Sequence, residues 1–175
     1  GDFDFDIYFD GNTIYFIPKF REHFVREDIS ANTGFAYTIV PLFTAEEVLL
    51  SRAEAYAYEG KFNEAIADLN TYMSKRIAEY NPSIHTVTTS SINAYYGVSN
   101  TQQNTQFTII EATLHLRWME FLHEGLRWFD ILRYNVPVSH ATEEGTIELP
   151  PDDPRRVLQI PREAISLGGL EPNPR

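Results

Sequence analysis

Residues 44–73 hold the pattern that most restricts the fold. Thr44-Ala-Glu-Glu47 is a capping box: a threonine that accepts from the third backbone N–H, with a glutamate three residues on. Leu49, Leu50, Ala53 and Ala57 then recur at helical spacing, and Gly60 supplies a stop. A second stripe follows almost at once, through Phe62, Ala65, Ile66, Leu69 and Met73. Two amphipathic helices joined by so short a turn pack antiparallel. Alanines at 53, 57 and 65 let their axes approach closely. Residues 55–66 fit the tetratricopeptide pattern around its turn, and only one such unit is visible.

The chain before this pair reads differently. Asp2, Asp4 and Asp6 interleave with Phe3, Phe5 and Ile7, the period-2 pattern of a strand with one wet face. Asp10-Gly11-Asn12 has turn chemistry, and Thr13–Ile17 reads as the return strand of a hairpin. Residues 18–41 show no clear period and are read as loop, with one short strand around Ala36–Val40.

Residues 81–106 are rich in Ser, Thr, Asn and Gln and contain no Asp, Glu, Lys or Arg. They are read as a long loop, of the kind that is either functional or mobile. A second capping box, Thr108-Ile-Ile-Glu111, predicts that helix resumes there, with Ile110, Leu114, Trp118, Phe121 and Leu122 buried and Gly125 as C-cap. A shorter amphipathic segment spans Arg127–Tyr134 and is stopped by Pro137. The tail from Glu143 is acidic and rich in Pro and Gly, with one apolar run, Val157–Ile160, read as a strand.

The fold expected is mainly α: a tetratricopeptide-like antiparallel helix pair, further helices, long loops and a small peripheral β-hairpin, in a single domain over 1–175. Several function classes are disfavoured. A net charge of −11 without a basic cluster repels phosphate backbones, so nucleic acid is not an expected partner. There is no cysteine, hence no disulfide, thiolate zinc site or cysteine nucleophile. No apolar run is long enough to cross a bilayer as a helix. The chain opens on Gly1 and not Met, which fits a processed or trimmed product with any lipid anchor upstream.

Three segments together resemble the RagB/SusD family. Glu47–Ala55, containing Arg52-Ala-Glu-Ala55, is similar to the family's helix before its glycine turn. Glu120, Glu124-Gly125, Arg127-Trp128-Phe129-Asp130 and Arg133 fall on its Glu…Glu-Gly-x-Arg-Trp-Phe-Asp-x-x-Arg signature. Gln159–Glu163 with Asn173-Pro174 looks like its C-terminal strand, proline turn and Asn-Pro end. His123, Trp118 and Leu126 depart from the pattern at helix positions. The resemblance implies the C-terminal part of a longer surface lipoprotein of the outer membrane in a Bacteroidetes-type bacterium. Such a protein binds glycans without cleaving them and presents them to a SusC-like TonB-dependent transporter.

The candidate site comes from side-chain chemistry, since the family motifs fix no ligand residues here. Aromatic faces stack on the C–H surface of a sugar ring, while amides meet its hydroxyls. Tyr95, Tyr96, Asn93, Asn100, Gln102 and Gln103 offer both without charge. A solvated loop has a similar composition. Arg127–Asp130 is read as structural, with Trp128 and Phe129 in the core and Arg127 and Asp130 pairing with Glu120, Glu124 or Arg133. Glu120-Phe-Leu-His123 has no second copy, and His115 and His123 lack zinc spacing, so no metal and no cofactor are expected. Glu143-Glu144 and Asp152-Asp153 read as solvated acid, not as a glycosidase pair. The reading is therefore a glycan-binding protein and not an enzyme. The alternative is a tetratricopeptide-like protein-interaction module without a glycan site.

Overall fold

A computed structural model describes residues 8, 9, 13, 14, 22–28, 30 and 33–174. Its contacts divide the chain into two compact units, 1–116 and 117–175.

In the first unit, β1 (Tyr8–Phe9) pairs antiparallel with β2 (Thr13–Ile14), Tyr8 opposite Ile14. The expected hairpin is therefore present in its described part. The Asp/Phe alternation at 2–7, the turn at 10–12 and residues 15–17 lie outside the described residues. A second hairpin, β3 (Glu22–Arg26) with β4 (Gly34–Thr38), occupies most of the segment read as loop. The strand expected at Ala36–Val40 is β4, shifted by two residues.

Helix α1 (Ala45–Tyr58) starts where the capping box places it, the Thr44 hydroxyl accepting from Glu47 N at 3.3 Å. It ends in a Schellman arrangement: Gly60 N donates to Ala57 O, and Lys61 N donates to Tyr56 O. Gly60 adopts φ +73°, a left-handed conformation that any residue with a Cβ resists. Helix α2 (Phe62–Arg76) follows directly and packs against α1. Leu50, Ala53, Ala57, Ala65, Leu69 and Tyr72 are buried on the two helices, largely the predicted stripes. Arg52 reaches from α1 to the buried Asp68 of α2 through two bonds, Nε–Oδ2 2.8 Å and Nη2–Oδ1 2.7 Å.

The segment read as a long loop folds into two short helices and the start of a third. These are α3 (Pro82–His85), α4 (Thr89–Tyr95) and α5 (Gln102–Glu120). The second capping box is overturned. Thr108 lies inside α5, fully buried, and its hydroxyl donates to Asn93 Oδ1. Ile92, Ile109, Ile110 and Leu114 add to the core.

In the second unit, Phe121 is buried, whereas Trp118 and Leu122 are exposed against expectation. Gly125 is the N-cap of α6 (Leu126–Tyr134), not the C-cap of the preceding helix. Asp130 is the buried residue of α6. With that carboxylate turned inward, Phe129, one helical step away, faces solvent, so its assignment to the core is overturned. Asp130 pairs with Arg117 at 3.2 Å, a partner absent from the expected set, and with Arg133 at 3.3 Å. The helix stops at Asn135 in left-handed conformation, two residues before Pro137. A third hairpin, β5 (Val138–Thr142) with β6 (Gly145–Leu149), follows. Buried Arg156 clamps its base by donating to the carbonyls of Val136, Leu149 and Pro150. Val157–Ile160 forms no strand; it links a 3-10 turn (Pro154–Arg156) to α7 (Arg162–Gly168). Pro161 and the capture of Asn173 by Gln159 shape this end without a sheet partner.

Asp153 caps that 3-10 turn, accepting from Arg155 N at 2.8 Å while the Arg155 guanidinium grips the same carboxylate. These bonds, with the nearby charges of Arg155 and Arg156, lower its pKa to about 2. The folded value lies below the unfolded one. The contribution is thus complete above about pH 4 and is lost as pH falls through about 2. Urea titrations of Asp153→Asn should lose this acid-dependent component, giving a shallower fall in stability between those limits than the parent shows. An unchanged slope would contradict the assignment.

Candidate functional site

The uncharged segment at 81–106 is ordered by its own polar side chains. Asn81 Oδ1 accepts from Ser83 N to start α3. Thr88 and Ser91 form a reciprocal capping box at the start of α4. Asn70 of α2 binds both backbone groups of Val87, at 2.9 and 2.8 Å, and so ties the intervening link to the helix pair. Thr101 Oγ1 accepts from Asn104 N at the start of α5, while the Asn104 amide reaches Ser99. Polar residues concentrate here because three helix starts and the turns between them need side-chain partners for orphan backbone groups.

Asn93 lies at the centre of this segment and is 0% exposed. Its Nδ2 donates to Asn100 Oδ1 at 2.9 Å and to Thr105 Oγ1 at 2.8 Å. Its Oδ1 accepts from Thr108 Oγ1 at 2.5 Å. Both N–H donors of the amide and one lone pair of its oxygen are spent inside the protein. Asn93 therefore drops out of the surface ligand set that side-chain chemistry alone suggested.

The remaining candidates divide between two places. Asn100 and Gln102 line a groove of about 540 Å³. Its other walls are the α1–α2 turn from Gly60 to Glu64, Thr89 and Ser90 at the start of α4, and Thr101 and Thr105 of the α5 start. This volume lies within the range of small-molecule sites. Gln106 fixes one edge from α5, its Nε2 donating to the carbonyls of Ala57 and Tyr58 at the end of α1. Charge in the lining is limited to Lys61 and Glu64, and Lys61 is held by Glu59 at 2.6 Å.

Tyr95 and Tyr96 sit at the other end of α4 and do not line that groove. Their rings meet edge to face, centroids 5.2 Å apart and planes at 87°. Tyr95 is 83% exposed, an open aromatic face braced from one side by its partner. Burial raises the Tyr96 phenol above its ordinary pKa, with Glu111 and Tyr95 adding to the effect, so it stays a neutral hydroxyl. Gln103 is exposed and outside the groove lining.

Thr89, Ser90, Thr105 and the residues of the α1–α2 turn were not singled out by sequence. Only the absence of charge pointed toward the first three, and nothing linked the turn to them. Among the described residues, no three His, Asp or Glu side chains converge as a metal site. Among them too, no helix is long and apolar enough to cross a membrane.

A comparison with curated proteins finds no match. The sequence model of the SusD family matches residues 7–149. That span takes in the helix pair, the polar segment and the Glu-Gly-x-Arg-Trp-Phe-Asp helix, and the chain belongs to the SusD family.

Proposed function

We propose that this chain captures oligosaccharide and presents it to a SusC-like TonB-dependent transporter, without cleaving it. SusD-family membership supports a nutrient- and glycan-binding role in general, and family members are lipoproteins associated with the outer membrane. The observation that carries the glycan reading on this chain is Tyr95. It is an almost fully exposed ring braced by Tyr96, in a segment without a formal charge, close in sequence to the outward amides of Asn100 and Gln102. A ring so placed stacks on the apolar face of a pyranose, and the amides meet hydroxyls elsewhere on the same oligosaccharide. Anchorage in this reading is through a lipid, as in other members of the family.

The test is affinity gel electrophoresis of the parent and of Tyr95→Ala in gels containing α-1,4-glucan, β-1,4-glucan, xylan, mannan or an acidic pectin. Retardation by at least one neutral polysaccharide is expected. Loss of the stacked ring should weaken it about tenfold, from ~1.5 kcal/mol of stacking. If no polysaccharide retards the parent, the glycan reading of this chain is wrong.

One observation favours a protein-binding role as well. Phe35, Tyr37, Ile39, Val40, Leu42 and Phe43 are all exposed, Leu42 by 93%. Such a run of large apolar residues marks a contact surface on soluble proteins. The helix pair itself offers little: Val48 and Tyr58 are its exposed large apolar residues. Protein contact through 35–43 and glycan capture through the polar segment are compatible in one chain.

A further inference from the structure

We infer that the groove between the α1–α2 turn and the starts of α4 and α5 is a second sugar subsite, and that buried Asn93 is its positioning residue. This deepens the glycan reading and rests on it. Two of the groove's side chains, Asn100 and Thr105, are held from behind by the same amide. Because Asn100 Oδ1 accepts from Asn93, its Nδ2 is the end turned outward. Because Thr105 Oγ1 accepts from Asn93, its own proton is left to donate. Thr105 is 7% exposed and lines the groove.

Asn93 thus fixes the polarity of the site. Its two N–H groups convert two ambivalent side chains, each able to donate or accept, into donors facing the groove. On its far side the Asn93 Oδ1 accepts from Thr108, which leaves both N–H groups for Asn100 and Thr105. Donors preset in this way meet the ring and hydroxyl oxygens of a sugar without the ordering cost a mobile loop would incur. Ser90, Thr89 and Gln102 complete a lining of hydroxyls and amides, and Phe62 contributes an apolar wall. The ligand class is a neutral oligosaccharide long enough to leave Tyr95 for another unit of the same chain. From Thr89 to Tyr95 the helix rises about 9 Å, so the two contact points serve different sugar residues.

Calorimetric titration with maltohexaose, cellohexaose, xylohexaose and mannohexaose tests this. Asn100→Ala and Ser90→Phe, both at exposed positions, should each weaken the bound hexaose about tenfold, the loss expected of one or two hydrogen bonds or of a blocked groove. Asn93→Asp replaces the two N–H groups by an acceptor. Asn100 then turns its amide inward and presents a carbonyl to the groove. That variant, shown folded by circular dichroism at the assay temperature, should also bind about tenfold more weakly. Its effect should be clearly smaller in the Asn100→Ala background, where only Thr105 is left for Asn93 to act on.

Additive losses in that cycle would overturn the positioning role. Parent-like binding by Asn100→Ala and Ser90→Phe, with binding lost in Tyr95→Ala, would overturn the groove subsite and leave the Tyr95 reading intact. If Asn93→Asp does not fold, the two surface variants alone decide the subsite. If the parent binds no hexaose, the subsite is refuted; polysaccharide retardation lost in Tyr95→Ala would show that the wider glycan reading survives it.

Discussion

Replacing Asp130 by alanine is expected to destabilise the unit formed by residues 117–175 by about 3–5 kcal/mol, read as a lower urea midpoint. Asp130 is 2% exposed and faces Arg117, itself buried, at 3.2 Å, with the more exposed Arg133 as a further partner. Removing the carboxylate takes from the Arg117 guanidinium, which also lies 5.4 Å from the Phe121 ring centroid, the charge that faces it at 3.2 Å in a dry setting. The cost is the loss of a desolvated charge pairing more than of one hydrogen bond. Changing both partners to apolar residues, Arg117→Met with Asp130→Leu, should therefore recover most of the loss. If Asp130→Ala costs less than about 1 kcal/mol, the pair is no more than a surface ion pair would be, and its place as the internal lock of α6 is wrong.

This pair also shows what the Glu-Gly-x-Arg-Trp-Phe-Asp run encodes. Sequence assigned its aromatics to the core and its charges to helical-spacing pairs along the surface. The structure inverts this at Phe129 and Asp130, because the buried partner, Arg117, lies thirteen residues away on the preceding helix. Local spacing carries no information about that pairing. The α1–α2 pair was legible for the opposite reason. Its capping box, apolar stripes and glycine stop are all local, and each specifies its own piece of backbone.

The polar segment falls between these cases. Its Ser, Thr and Asn content was read as loop, yet those residues cap α3, α4 and α5 and hold the links between them. Thr108-x-x-Glu111 has the form of a helix start but lies within α5, since the buried acceptor for its hydroxyl is Asn93. The same amide left the ligand set once its burial was visible. Asn100 and Gln102 were candidates on composition and chemistry alone, while the groove they line needed a tertiary contact with the α1–α2 turn. Missed strands have a common cause. β3, β5 and β6 each pair with a single neighbour and are largely exposed, so no buried face wrote itself into the sequence.

Leu69→Ala should cost about 2–5 kcal/mol, because Leu69 is fully packed in the core to which the α1–α2 pair contributes Leu50, Ala53 and Ala65. Ala53 and Ala65 are small, so the pair has little material with which to fill the space. Ala65→Leu, at a site with no exposed surface, should cost about 1–3 kcal/mol by overpacking, which tests the close approach from the other direction. The same helix pair carries Gly60–Glu64, one wall of the groove, and Gln106 ties the end of α1 to α5. Stability and binding are nevertheless separable, since Leu69 lies about two turns along α2 from Phe62. In titrations well below its melting transition, Leu69→Ala should bind hexaose within twofold of the parent despite the large loss of stability. A binding loss matching that of Asn100→Ala would mean that the groove depends on the packing of the whole helix pair. The donors set by Asn93 would then not be enough to define it.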